Sequence, residues 1–215
     1  MSRIGISMIT DAVENVFANI EESKRNFKQT IEIQIGLKGY GKKDKRFNSV
    51  VEVPHATRKV TKFCVLGDAS HIQQAEQLGY ELRSVDDLKG LNKEKKLVKK
   101  LAKSYHFFLA SPTVARTLNR LVGNTFNKLG KFPTPVLKGE SLEKKAESGC
   151  CTIRFKLQKA FAFNYAIGHE EMPIEEIVRN IATSLGFLIS LLKKGMQNLG
   201  SVHVKGTMCS PVRLY

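Results

Sequence analysis

Apolar side chains recur at three- and four-residue steps at Ile6, Ile9, Val13, Val16, Phe17 and Ile20, which predicts an amphipathic helix running into the charged stretch 21–25. The period then drops to two. Between Gln29 and Ile35 the three isoleucines face one way and Thr30, Glu32 and Gln34 the other, so a half-buried strand is expected. Residues 36–46, rich in glycine and lysine, read as a hairpin loop. Val50, Val51 and Val53 then form the return strand, stopped by Pro54, and His55 to Lys59 reads as a linker.

From Val60 the style changes. The stretch Thr61-Lys-Phe-Cys-Val-Leu66, read as a buried strand, leads through Gly67 and Asp68 into a helical pattern at Ile72, Ala75 and Leu78, the opening of a parallel α/β unit. The theme repeats: a short strand at Tyr80 to Arg83, a helix capped by Ser84, a buried strand at Phe107-Phe-Leu-Ala110, and a helix started by Pro112. A small doubly wound α/β domain over 60–146 is predicted.

Alternation returns after Glu147. Ile153, Phe155 and Leu157 point inward and Thr152, Arg154, Lys156 and Gln158 outward, and the strand at Phe161 to Ile167 is expected to pair with them antiparallel. The strongest helix follows, with an apolar stripe from Ile174 to Leu192, Pro173 at its start, Glu175 and Glu176 in its first turn and Lys193-Lys194-Gly195 at its end. Val202 and Val204 mark a closing strand with Ser201, His203 and Lys205 on its polar face. Residues 1–59 and 147–215 thus share one style, and both termini are expected to build one domain around the inserted one. In that domain two helices cover one face of a mostly antiparallel sheet and leave Thr30, Glu32, Gln34, Arg154, Lys156 and Lys205 on the other.

Charge changes the picture most. Thirty-five Lys and Arg against twenty Asp and Glu give +15 over 215 residues, and every segment is basic, which points to a polyanionic partner. The longest apolar run, Leu185 to Leu192, is far short of a membrane span, and Asp11 and Glu14 interrupt any secretory signal pattern. Cys64, Cys150, Cys151 and Cys209 form neither a disulfide framework nor a CxxC pair. The five histidines lack ligand spacing, since Pro173 stands where a zinc-protease helix needs its second histidine. No metal and no cofactor is expected. Gly36 to Lys43 imitates a phosphate loop, but Lys43 offers no hydroxyl for magnesium and a strand follows instead of a helix. Its Lys42, Lys43, Lys45 and Arg46 are candidate backbone-phosphate contacts. The lysine-coated helix over 92–103 reads as a solvated face with phosphate contact as the alternative. No Ser/His/Asp, Cys/His or paired-carboxylate set stands out, so the chain reads as a non-enzyme.

Several segments carry a resemblance: Leu37-Lys38 with Asp44-Lys-Arg-Phe47, Val65-Leu-Gly-Asp68, Lys95-Lys-Leu-Val-Lys-Lys-Leu-Ala-Lys-Ser-Tyr105, Phe108-Leu-Ala-Ser111, Gly130-Lys-Phe-Pro133, Leu191-Leu-Lys-Lys194, and Thr207-Met208 with Arg213-Leu-Tyr215. Over its whole length the chain resembles the family of the universal large-subunit ribosomal protein of the mobile L-one stalk, in its eukaryotic form. The resemblance implies a split α/β domain with a Rossmann-like domain inserted through two hinge strands, and binding of large-subunit ribosomal RNA by the outer domain. It also implies help in releasing exit-site transfer RNA, other large-subunit proteins as partners, and a cytoplasmic ribosomal location with assembly in the nucleolus. The matching RNA contacts are Phe27, Thr30 and Glu32, Ser201, and Thr207-Met208, with Cys209 completing the triad and Lys156 and Lys205 on the same expected face. Four departures mark a diverged member: Cys209 where the family has glycine, Gly206 where it has serine or threonine, Asn26 where lysine precedes the phenylalanine, and Gly123-Asn124-Thr125 in place of Gly-Pro-Gly. The Cys209 side chain is expected to reduce close approach of RNA. The alternative function is an off-ribosome RNA-binding translational repressor acting on messenger RNA.

Overall fold

The computed structural model describes residues 4–23, 25–41, 44, 46–58, 61–67, 69–137, 139–157 and 160–215. In chain order the helices are α1 (Ile6–Glu22), α2 (Ala69–Gln77), α3 (Val85–Gly90), α4 (Lys95–Ser104), α5 (Pro112–Val122), α6 (Thr125–Leu129), α7 (Leu142–Cys150) and α8 (Ile174–Leu191). The strands are β1 (Thr30–Leu37), β2 (Asn48–Glu52), β3 (Phe63–Leu66), β4 (Leu82–Arg83), β5 (Phe107–Ala110), β6 (Thr134–Pro135), β7 (Thr152–Lys156), β8 (Ala162–His169), β9 (Leu199–Gly206) and β10 (Val212–Arg213). The chain divides into two compact units, 1–59 with 151–215 and 60–150. The return crossing falls between Cys150 and Cys151, because α7 continues past Glu147 to the end of the inserted unit.

In the outer unit a four-stranded antiparallel sheet runs β10-β9-β1-β8. Ile31, Ile33 and Ile35 of β1, Val202 and Val204 of β9, and Tyr165 and Ile167 of β8 point to one side. There they pack on Val13, Val16 and Ile20 of α1 and Ile177, Ile181, Leu185 and Leu188 of α8. Period-two burial meets period-3.6 burial across this layer, as a sheet covered on one face requires. The helix ends obey local chemistry. Pro173 immediately precedes α8, with Glu175 and Glu176 in the first turn near the positive end of the helix dipole. Fully buried Asn180 of α8 accepts from the His55 amide at 3.1 Å and donates to the carbonyls of His55 and Ile167 at 3.1 and 3.2 Å. It ties the chain leaving β2 to β8.

Strand pairing departs from the sequence-based expectation. β1 and β2 do not form a hairpin: β1 is central, with β8 and β9 on its two edges, and β2 pairs antiparallel with β7 in a separate two-stranded sheet. Among the described residues β7 has β2 as its strand partner and is not paired with β8. Periodicity fixes which strand side chains turn inward, but it does not name the neighbouring strand.

In the inserted unit β4-β3-β5-β6 is a parallel sheet. Cys64, Leu66, Phe108 and Ala110 face one layer, made of Leu88 of α3, Val98 and Ala102 of α4, Leu118 of α5 and Phe126 of α6. Val65 and Leu109 face the other, made of Ala75 of α2 and Leu142 and Ala146 of α7. Strands buried on both sides need the continuous apolar runs seen in the sequence. Ser84 caps α3 with a reciprocal capping box through Asp87, and Ser111 caps α5 with Pro112 as its first residue.

Candidate nucleic-acid interface

The end of β9 and the start of β1 meet at one corner. The Thr30 amide donates to Thr207 Oγ1 at 3.1 Å, and that hydroxyl donates to the Thr30 carbonyl at 3.1 Å. This reciprocal pair joins residues 177 apart in sequence and continues the β1–β9 ladder by one side chain. The chain then turns at Met208, whose φ of 64° is in the left-handed region, a strained position for a side chain with a Cβ. The turn leaves Met208 73% exposed, and Phe27, three residues before Thr30, is 50% exposed. Two large apolar side chains standing in solvent are costly unless something covers them.

Cys209 turns inward. Its thiol donates to Gln29 Oε1 at 3.1 Å and lies 3.1 Å from Ser23 Oγ, so the side chain braces the end of α1 against the corner and does not project from it. The exposed member of the triad is Met208, and the Cys209 side chain lies behind it. The left-handed residue is likewise Met208, so glycine's conformational freedom is not required at 209. Gly206 is constrained by packing: a Cβ there would sit 2.8 Å from Ile20 Cγ1 and 3.3 Å from Gln29 Oε1.

Beside the corner lies the uncovered face of the four-stranded sheet. Glu32 pairs across with Lys205 and Ala166, Gln34 with His203 and Asn164, and Gly36 with Ser201 and Ala162. Glu32 is the hub: its carboxylate accepts from Gln34 and Asn164 side-chain amides at 3.1 Å each and has Lys205 Nζ at 3.8 Å. Gln34, Gly36, Asn164, Ser201 and His203 line a shallow open depression next to it. A Cβ on Gly36 would lie 2.9 Å from Ser201 Oγ, so glycine there keeps the hydroxyl at the surface of the depression. The face offers amides, an imidazole and hydroxyls, with one acid and one lysine partly neutralising each other. Such groups can hydrogen-bond ribose hydroxyls, base edges and phosphate oxygens, while Phe27 and Met208 can take sugars and base faces.

Of the sequence-predicted contacts, Phe27, Thr30, Thr207 and Met208 come together at the corner, and Glu32, Ser201 and Lys205 share the sheet face. Lys156 does not: it lies opposite Asn48 on the separate β2–β7 sheet, with Arg154 and Thr152, because β7 pairs with β2. Arg46 is exposed, its guanidinium 5.8 Å from the Phe161 ring centre. Lys42, Lys43 and Lys45 lie outside the described residues, as do Gln158, Asp68 and the predicted boundary residues Lys59 and Val60. Between those lysines Asp44 accepts from the Gly41 amide at 2.7 Å and pairs with Lys193 Nζ at 2.8 Å, and the lysine bond and that amide hold its carboxyl below the ordinary aspartate range. Sequence reasoning did not name Asn164 and His203 as contacts. His203 was placed on the polar face of its strand, but Asn164 becomes visible only once β8 is known to pair with β1.

Elsewhere the chemistry is quiet. Among the described residues no group of three or more His, Cys, Asp or Glu is placed to hold a metal ion, and burial pushes the Cys64 thiol up to about 12, leaving it protonated and unreactive at neutral pH. No helix of the described residues is long and apolar enough to cross a membrane.

The chain is thus a two-unit α/β protein whose outer unit carries a one-sided sheet with a polar face and an apolar corner. Residues 19–210 match the model of the ribosomal protein L1p/L10e family. The chain is 46% identical to the large ribosomal subunit protein uL1z of Arabidopsis thaliana, 45% to uL1B of Schizosaccharomyces pombe and 43% to uL1 of Caenorhabditis elegans, each over the full length of both chains. This chain belongs to the ribosomal protein L1p/L10e family, a family of structural ribosomal proteins and not of enzymes.

Proposed function

We propose that the chain is a structural constituent of the large ribosomal subunit that binds ribosomal RNA of the mobile stalk through the Thr30–Thr207 corner and the open sheet face, and assists release of exit-site transfer RNA. The observation that carries this reading is the reciprocal Thr30–Thr207 bond, which leaves Phe27 and Met208 standing in solvent at the rim of a polar sheet face. Four residues matching the family's RNA contacts converge there. Relatives alike over their whole length are named for the large ribosomal subunit, and the net charge of +15 suits a phosphate-rich partner. Recognition by hydroxyls and apolar contacts reads RNA shape and its 2′-hydroxyls more than its sequence. Other large-subunit proteins are neighbours in this role, and the location is the cytoplasmic ribosome after assembly in the nucleolus.

The departures at Gly206 and Cys209 favour one second reading, an off-ribosome repressor using the same corner on messenger RNA. Sedimentation separates the two. The tagged chain in its native cell is expected to co-migrate with large subunits after a high-salt wash. Recovery only in light messenger ribonucleoprotein fractions supports the second reading and overturns the first.

A further inference from the structure

Between Lys95 and Gly139 the sequence has ten lysines and arginines and no aspartate or glutamate. Folding concentrates this imbalance. α4, α5 and α6 all pack on the same side of the parallel sheet, around Phe108, Leu118 and Phe126, and α6 lies against α4. Their outward positions carry Lys95, Lys96, Lys99, Lys100 and Lys103 from α4, Arg116 and Arg120 from α5 and Lys128 from α6, all exposed. Along α4 the lysines recur at one- and four-residue steps, so they form a double row about 12 Å long on one flank of the helix. The opposite layer is different: α2 and α7 together carry Glu76, Glu143 and Glu147 against Lys144 and Lys145. The basic charge of the inserted unit is thus concentrated on α4 to α6, while α3 on the same side carries Asp86 and Asp87 against Lys89.

No described residue pairs with these charges. Among the described residues none of the eight forms an ion pair or a side-chain hydrogen bond. By contrast Lys131, just after α6, is turned to structural use, its Nζ donating to the carbonyls of Ala102 and Tyr105 at the end of α4. Eight like charges on one layer repel each other, a cost that a polyanion would reverse. The surface also lacks what a protein partner favours. Leu97, 43% exposed, is the sole large exposed hydrophobic residue on α3 to α6, and no aromatic side chain stands out of the layer. Protein interfaces are depleted in lysine and anchored by aromatic or apolar side chains. Flexible, strongly hydrated ammonium groups suit phosphates, which vary in position along a backbone.

We propose that the α4–α6 layer is a second RNA-contacting surface, which takes sugar–phosphate backbone without sequence selectivity and acts separately from the corner in the outer unit. It needs an RNA partner for the chain but none of the corner's residues. The two surfaces make opposite demands on salt: counterion release gives a steep dependence at the lysine layer, and hydroxyl and apolar contacts give a shallow one at the corner.

The test uses the full chain with two probes, a stalk ribosomal RNA fragment and an arbitrary RNA duplex of equal length, titrated at several salt concentrations. Replacing all five α4 lysines by glutamine is expected to flatten the log–log salt slope by about 3.5–4.5 on both probes, at roughly 0.7–0.9 per phosphate contact, with affinity at low salt falling at least tenfold. These side chains are exposed and unpaired, so the melting temperature should hold. The Lys144→Gln, Lys145→Gln pair on the opposite layer is expected to leave the slope within one. The Thr207→Ala, Met208→Ala variant is expected to weaken the stalk fragment alone. If the slope on both RNAs survives the five substitutions, the layer does not touch RNA, whether it then serves an acidic protein or only solvent. If the corner variant has no effect while the slope flattens, the reading of the corner fails and this one stands.

Discussion

The outer unit leaves one face of its main sheet bare, whereas the inserted unit covers both faces of its own with helices. The consequence is where recognition can reside. In the outer unit every second residue of β1, β8 and β9 is free to meet a partner, so a strand can be half core and half binding surface. In the inserted unit the strand residues are spent on packing, and only helix exteriors remain. The two units accordingly present different chemistry from similar net basicity: a polar, largely uncharged face rimmed by Phe27 and Met208 in one, a lysine-dense helical layer in the other.

Two substitutions probe that division. The larger effect belongs to Phe126→Ala. Phe126 is fully buried, edge-on to Phe108 with ring centres 4.9 Å apart, and its loss should cost the inserted unit about 3–5 kcal/mol. Hydrogen exchange over 60–150 should rise while binding of stalk RNA at high salt, where the corner dominates, stays within about twofold. Equal loss of high-salt binding would break the comparison, because it would mean the corner depends on the inserted unit. Gly206→Thr acts the other way round. Its new Cβ would meet Ile20 Cγ1 at 2.8 Å, so overpacking should destabilise the outer unit by about 1–2 kcal/mol, with partial rescue by Ile20→Val. A thermal melt showing no loss, or no rescue, would show that α1 shifts without cost and that Gly206 is not fixed by this contact.

Much of the layer structure was legible in the chain. Ile31, Ile33 and Ile35 announced a strand with one wet side, Phe63 to Leu66 and Phe107 to Ala110 announced strands with none, and Ser84, Pro112 and Pro173 marked helix starts through a cap and the fixed φ of proline. What was hidden is non-local. No pattern within β1 or β2 says that they part company, or that β8 takes the place beside β1 and so brings Asn164 to Glu32. Nor does any local signal show that Thr207 binds the backbone of Thr30, or that Cys209 turns toward Gln29 and Ser23. Family resemblance supplied Thr207 and Met208 as residues. The reason they sit where they do, a left-handed turn held by one hydroxyl, exists only in three dimensions.

The most direct measurement is the affinity of the full chain and its Thr207→Ala, Met208→Ala variant for a stalk ribosomal RNA fragment, at fixed and moderately high salt. The account predicts a loss of about 2 kcal/mol, roughly thirtyfold, with the salt slope little changed and stability lowered only by the lost Thr207–Thr30 hydrogen bonds, about 1 kcal/mol. Binding by the variant as tight as that of the unaltered chain would contradict it, and would place RNA recognition away from the corner where the two ends of the chain meet.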